Sequence, residues 1–386
     1  MPAGVYLHIP FCKSRCSYCD FATDVYRNAG VVERYVEALV KEIKMSVPPA
    51  VAGGSNKPPE GGTQNGIDTI YLGGGTPSLL SPDQARRVLD TVKGVFDIAS
   101  DTEITMEMNP ATVTPESLAG YRSMGVNRAS FGVQTFDDRA LKLLARGHDA
   151  NDARVTFRLL RDAGFDNISF DLIAGLPGQT LDEWKRNLDE AIAMEPEHVS
   201  LYLLEVHEST PLAEQIRSGR RPMPDEQLAA EMYELMLERL FAADYEQYEI
   251  SNFAKPGFES RHNTKYWRMD PVFGFGVSVH SFDGRERNAN ERDTAKYVEQ
   301  IETSGSAENF REQVDLVSET AFLGLRMTSG IDVVDLEKRF GVDLIERYCA
   351  ELDELSTAGL VLSEENHLRL TPKGMLYSNE VFRVFV

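Results

Sequence analysis

Two periodicities alternate along the first half of the chain. Short runs rich in β-branched and aromatic residues, at 5–9, 68–72, 103–108, 128–133, 168–173 and 199–204, have the length and composition of strands. Between them, apolar residues recur at three- and four-residue spacing, as in Val36, Leu39, Val40 and Ile43, in Ala85, Val88, Leu89 and Val92, and in Leu188, Ala191 and Ile192. Such spacing predicts amphipathic helices. Six strand-then-helix units in succession predict parallel strands joined by right-handed crossovers, as an open sheet or a barrel. Either way, ligands gather at the carboxyl ends of the strands, so the loops that follow them are where chemistry is expected.

After residue 204 the pattern weakens. A long helix is predicted over 225–243, then β-like runs at 245–253 and 273–282. From about 310 the order is helix, helix, helix and hairpin, at 317–325, 333–339, 344–358, 361–362 and 367–370, which suggests a small winged-helix-like unit. The expected division is therefore 1–210 for the β/α core, 211–305 for an extension of it, and 306–386 for the C-terminal unit. Residues 48–66, rich in Pro, Gly and Asn, read as a flexible surface loop.

Composition narrows the function classes. With 42% hydrophobic and 26% charged residues the chain is globular. Forty Lys and Arg against 61 Asp and Glu give a net charge of −21, a field that repels phosphate backbones and anionic lipid, so nucleic acid is not an expected partner. No window approaches 18 consecutive apolar residues, and the apolar run at 4–10 has neither the basic start nor the cleavage site of a secretion signal. A cytoplasmic, reducing setting is expected, where clustered thiols read as metal ligands before they read as disulfides.

Three of the four cysteines, Cys12, Cys16 and Cys19, are spaced C-x3-C-x2-C directly after the first strand. Zinc normally takes four ligands, and no second pair is present; Cys349 or His8 would have to complete the site. A four-iron cluster fits better, because three thiolates hold three irons and leave the fourth open to a substrate. An open iron can be chelated by the amino and carboxylate groups of S-adenosylmethionine, and one electron then cleaves its carbon–sulfur bond to give a 5′-deoxyadenosyl radical. Cys349 itself falls in the helical stripe Leu344, Ile345, Tyr348, Leu352 and Leu355 and is expected in the core. His8 is expected to be structural, and His148, His198, His207, His280 and His367 have no metal-type spacing.

This C-x3-C-x2-C after strand one of a β/α series resembles the radical S-adenosylmethionine superfamily, whose fold is a partial (β/α)6 barrel. The phrases HIPFC at 8–12, GGGTPS at 73–78 and GLPGQT at 175–180 resemble, within it, the branch that contains oxygen-independent coproporphyrinogen III oxidase and the HemW-type haem chaperones. The resemblance spans nearly the whole chain. It implies a [4Fe-4S] cluster on the three cysteines, and S-adenosylmethionine contacts from Gly74, Gly75 and Thr76 at the Gly-rich turn. It also implies Glu107 for the cofactor's amino group, Gln134, Arg146 for its carboxylate, and Asp171 for ribose hydroxyls. Tyr6 and Tyr18 match aromatic or phenolic positions flanking the cluster.

Two departures divide the branch. The oxidases carry a fourth cysteine two residues after the third, where this chain has Phe21, and an extension ahead of the first strand, which is not expected here. A third mark, HNTKYW at 262–267, reproduces the H-N-x-x-Y-W signature of the chaperone group. If that segment is helical, His262 and Tyr266 share a face, and a neutral imidazole is a normal axial haem ligand. The resemblance therefore implies haem binding at His262 and delivery to haem-dependent proteins such as respiratory enzymes, with a possible homodimer. The alternative is a radical oxidoreductase that decarboxylates coproporphyrinogen propionates.

Overall fold

The computed structural model describes residues 2–46 and 66–385; the expected loop at 48–66 lies, but for Gly66, outside them. The chain opens with β1 (Ala3–Ile9), then the two-residue strands β2 (Phe11–Cys12) and β3 (Asp24–Val25), which pair with each other. A regular series follows: α1 (Ala29–Met45), β4 (Gly66–Gly74), α2 (Pro82–Val95), β5 (Asp97–Met108), α3 (Pro115–Ser123), β6 (Arg128–Gln134), α4 (Asp138–Leu143), α5 (Ala150–Asp162), β7 (Ile168–Ala174), α6 (Leu181–Ala193) and β8 (His198–Leu203). β1, β4, β5, β6, β7 and β8 neighbour one another in that order and all pair parallel. This is the six-stranded β/α core expected from the periodicity. Its helices start where polar side chains can take the free amides of the first turn: Asn28, Ser81, Thr114, Asp137, Asp149 and Thr180 are the caps.

Along each strand the side chains alternate between two surroundings. Val5, Leu7, Ile70, Leu72, Ile104, Met106, Phe131, Phe170 and Leu172 join the main apolar core beneath the helices. The alternate set, Tyr6, His8, Thr69, Tyr71, Glu103, Thr105, Glu107, Arg128, Ser130, Ser169, Asp171, His198 and Ser200, faces the concave side. An ordinary barrel interior is filled with Val, Ile and Leu; this one is lined with polar side chains.

The sheet continues at both edges. After α7 (Pro211–Arg217) and α8 (Glu226–Phe241), β9 (Glu246–Glu249) and β10 (Asn252–Ala254) extend it beyond β8. After α9 (Arg261–Trp267), β11 (Val272–Phe275) pairs parallel with β1 and is followed by β12 (His280–Phe282), β13 (Glu286–Asn290), α10 (Thr294–Ser304) and β14 (Glu308–Gln313). Because β14 pairs antiparallel with β13, it belongs to this sheet, and the C-terminal unit begins after it, not at 306. That unit comprises α11 (Leu316–Gly324), β15 (Ile331–Asp332), α12 (Val333–Phe340), α13 (Leu344–Arg347), α14 (Cys349–Thr357), the hairpin β16 (Val361–Glu364) and β17 (His367–Leu370), then α15 (Pro372–Leu376) and α16 (Ser378–Phe382). Helices followed by a three-stranded wing, β15-β17-β16, give the expected winged-helix-like form. One core assignment is corrected: Cys349 is exposed. The helix expected over 344–358 breaks at Tyr348, so the apolar stripe is shared by two short helices and Cys349 falls outside it.

Candidate functional site

The cysteine loop sits on the carboxyl ends of the parallel strands. Its two ends are pinned together, Asp24 N donating to Pro10 O at 2.7 Å and Tyr26 N to Cys12 O at 2.7 Å. Its middle is tied to the end of α4, Ser17 N donating to Leu144 O at 2.9 Å and Ser17 Oγ to Leu143 O at 3.1 Å. Beneath it, Gly75 N donates to Ile9 O at 2.8 Å, and a Cβ at Gly75 would stand 2.7 Å from the Pro10 carbonyl carbon. Gly74 takes a left-handed φ of 110°, and a Cβ there would strike the His8 ring at 2.6 Å. These glycines thus let the end of β4 tuck under the loop that carries the thiols.

A chain of polar contacts links Cys16 to Cys12 around the mouth. Arg146 Nη1 donates to Cys16 Sγ at 3.5 Å and to Tyr18 OH at 3.4 Å, while its Nη2 donates to Gly132 O at 2.7 Å and Asn109 Oδ1 at 2.8 Å. Asn109 Nδ2 donates to Thr76 Oγ1 at 2.7 Å, and Thr76 Oγ1 to Cys12 Sγ at 3.7 Å. Asn109 is the member that sequence reasoning missed; its position two residues past Glu107, at the end of β5, is the signal that could have found it. Gln134 also turns back toward this chain. It has a left-handed φ of 66° at a register shift in β6, and its amide lies within 2.5 Å of where a Gly132 Cβ would be.

Three cysteines on one short pinned loop, one facing a hydroxyl and one a buried guanidinium whose Nε has no partner, suit thiolate ligation of a cluster. Burial pushes the Cys12 thiol up to about 11, against the Thr76 bond, and raises Cys19 as well. Metal binding at these thiols would release their protons.

One layer deeper, Glu107 Oε1 accepts from Tyr71 OH at 2.8 Å and Oε2 from Gly74 N at 3.0 Å. Burial pushes its carboxyl up to about 7, with Asp171 adding to the rise and the bonds from Tyr71 and Gly74 opposing it. Asp171 is likewise raised by burial, against a bond from Ser200. Gly74, Gly75, Thr76, Glu107, Gln134, Arg146, Asp171 and Tyr18 therefore converge on one mouth and its throat. Tyr6 does not flank the cysteines as expected: it lies below them, stacked at 6.0 Å on Tyr71 and at 6.3 Å on His262.

His262 departs further from expectation. It does share a helical face with Tyr266, but α9 plugs the opposite end of the barrel. The ring is 1% exposed; Nδ1 is 2.9 Å from Thr69 Oγ1 and Nε2 is 3.3 Å from Tyr266 OH. Burial first, then the nearby Lys265 and Arg128 charges, lower it to about 3, so it is neutral. Neutrality suits ligation, but neither nitrogen is presented to a haem in this arrangement. The rest of the motif is also structural here: Lys265 Nζ reaches Asp68 at 2.7 Å and Pro2 O at 2.8 Å, and Trp267 lies under the Arg326 guanidinium at 4.4 Å.

Comparison with known proteins identifies the family and the fold. Residues 6–191 match the radical SAM superfamily, and residues 312–377 match the HemN C-terminal domain. The chain is 36% identical to the heme chaperone HemW of Bacillus subtilis (strain 168), over 99% of each chain. It is 33% identical to the heme chaperone HemW of Lactococcus lactis subsp. lactis, over 100% of this chain and 97% of that one. Among solved structures, the coproporphyrinogen III oxidase (HemN) of Escherichia coli, a radical SAM enzyme, superposes with a TM-score of 0.84 at 24% identity, covering 100% of this chain and 90% of that one, which shows a shared fold.

Proposed function

Since the chain belongs to the HemW-type branch of the radical S-adenosylmethionine superfamily, we propose that it is a haem chaperone that binds haem and passes it to haem-dependent proteins, respiratory enzymes among them. The observation that carries this reading is Phe21, which stands where the decarboxylating oxidases place a fourth cysteine, in a chain otherwise similar to HemW proteins from end to end. In this reading Cys12, Cys16 and Cys19 hold a [4Fe-4S] cluster, Arg146 and Glu107 receive the carboxylate and ammonium of S-adenosylmethionine, and Asp171 takes its ribose. When bound, the cluster supplies an open iron and a single electron.

The chain's own residues do the rest. Arg146 orients Cys16 and Tyr18 and, through Asn109 and Thr76, Cys12, so that a change in the loop is felt on both sides of the mouth. Glu107, held by Tyr71 and Gly74, offers a cation-binding oxygen in a site otherwise shielded from water. No helix among the described residues is long and apolar enough to cross a membrane, and we place the protein's work in the cytoplasm, meeting its recipients as protein partners, with a homodimer as one form.

The test is anaerobic hemin titration of the cluster-reconstituted chain, followed by transfer to an apo-cytochrome acceptor monitored by its own spectrum. Tight binding followed by transfer is expected. No binding, together with protoporphyrinogen and carbon dioxide formed from coproporphyrinogen, S-adenosylmethionine and a reductant, would instead establish the oxidase reading, which the polar throat described above also accommodates.

A further inference from the structure

Beside the cysteine loop, on its outer side, lies a cavity of about 520 Å3 that the contacts above do not use. Its volume is that of a small-molecule site. One wall is the loop itself with the segment that follows it; the other is the start of α1 and the turn into α10. Three of its lining residues are large, apolar and open to solvent: Phe21, 68% exposed, with Val25 and Val31. Exposed apolar groups gathered in one concavity mark a binding surface.

Charge is what gives the cavity a preference. Arg15, Arg27 and Arg292 also line it; none of the three forms an ion pair among the described residues, although Arg292 Nη2 donates to Asp20 O at 3.2 Å. Arg34, the fourth guanidinium there, is committed to Glu302 in a two-pronged pair, its Nε donating at 2.6 Å. Two carboxylates line it as well: Asp293 is spent on capping α10, where it accepts from Lys296 N at 2.9 Å, and Asp24 stands on the loop wall. In a protein of net charge −21, a concavity lined by four guanidiniums and two carboxylates around an aromatic and two valines is complementary to an anion. Guanidinium forks pair best with carboxylates, and an exposed phenyl ring stacks on a flat conjugated face.

We infer that this groove is where haem docks, its porphyrin face on Phe21, Val25 and Val31 and its two propionates on Arg27, Arg292 and Arg15. The inference rests on the chaperone reading and deepens it. It also gives Phe21 a role: the residue that removes the oxidases' fourth thiol supplies the stacking surface. The groove carries no His, Met or Cys, and Tyr35 OH at its base already donates to His8 O at 2.7 Å and accepts from Val277 N at 3.1 Å. Haem held here is gripped by its face and edge and keeps its iron free for the recipient's ligand, which suits a protein that must let go.

Hemin is titrated anaerobically into the full chain with its cluster reconstituted, read at the Soret band and competed against apomyoglobin for Kd. Arg27→Glu with Arg292→Glu is expected to weaken binding by about tenfold or more, and Phe21→Ala by about threefold, at unchanged iron content. In the unmodified protein, hemin dimethyl ester, which keeps the iron and masks the propionates, is expected to bind as weakly as hemin binds the double variant; this arm needs no variant to fold. Undiminished hemin binding by the double variant, or an ester that binds as well as the free acid, overturns the groove and leaves the chaperone reading standing. Failure of the unmodified protein to bind hemin overturns both.

Discussion

Glu107 is a carboxyl whose surroundings decide its charge near neutral pH. Its folded pKa is raised, to about 7, so below that value the site is neutral and above it the site is anionic. A cofactor ammonium needs the anion, so S-adenosylmethionine affinity should rise as pH climbs through 7, by up to about tenfold per unit on the acid side. Equilibrium binding to the reconstituted protein between pH 6 and 8 measures this; Glu107→Gln should bind weakly with a flat profile, and a flat profile in the unmodified protein would remove Glu107 from the ammonium site. His262 invites the opposite expectation. Its ring fills the barrel floor against Thr69, Tyr71 and Gly4. His262→Ala should therefore cost stability, about 2–4 kcal/mol for a buried ring and its hydrogen bonds, while hemin affinity at 20–25 °C stays within about twofold. Loss of hemin binding without loss of stability in that variant would instead mean that α9 swings out to offer its histidine.

Among the elements, the turn after β4 and the cysteine loop act as one piece. Gly75→Ala would push a methyl group into the Pro10–Phe11 backbone, so iron retained after reconstitution should fall while the fold persists. Gly94→Ala, in α2 where nothing lies within 4 Å of the added carbon, should be neutral to stabilising by up to about 1 kcal/mol and leave iron content unchanged. Equal iron content in the two variants would contradict the seating of the loop on Gly75. The six core strands were legible because short runs of β-branched and aromatic residues alternate with helical spacing, and the mouth was legible because its residues end those strands. What periodicity did not reveal depends on tertiary packing. Asn109 joins the mouth only through Arg146 and Thr76, β14 belongs to the main sheet only by pairing with β13, and Cys349 is exposed only because the helix breaks at Tyr348. The HNTKYW segment was recognised as a motif, but its position under the barrel could not be seen without β1 and β4 in place.

At the scale of the whole molecule, that segment joins the barrel to the C-terminal unit. His262 closes the floor, and five residues on, Trp267 lies beneath Arg326, which sits just past the end of α11. The same guanidinium is 3.7 Å from Glu249, a carboxylate with no exposure, whose other oxygen accepts from Ser251 N at 3.0 Å and from the Asn252 amide. Backbone contacts run alongside: Ile250 N donates to Arg326 O and Thr328 N to Tyr248 O, each at 3.1 Å. Removing the guanidinium leaves Glu249 buried without its cation, a change that costs about 3–5 kcal/mol where a buried pair is broken. Burial already raises the Glu249 pKa against Arg326, so in Arg326→Ala the group should take up a proton and the loss should be greatest at alkaline pH, where ionising it is forced. Because the lost contacts lie at the junction, the penalty should appear as separation of the two units. Limited proteolysis should cut between β14 and α11 faster than in the unmodified protein, and thermal unfolding should broaden or split. Trp267→Phe keeps an aromatic face under the guanidinium and should stay close to the unmodified protein. A single unfolding transition at the original temperature for Arg326→Ala, at pH 6 and pH 9 alike, would show that the backbone contacts alone hold the two units together.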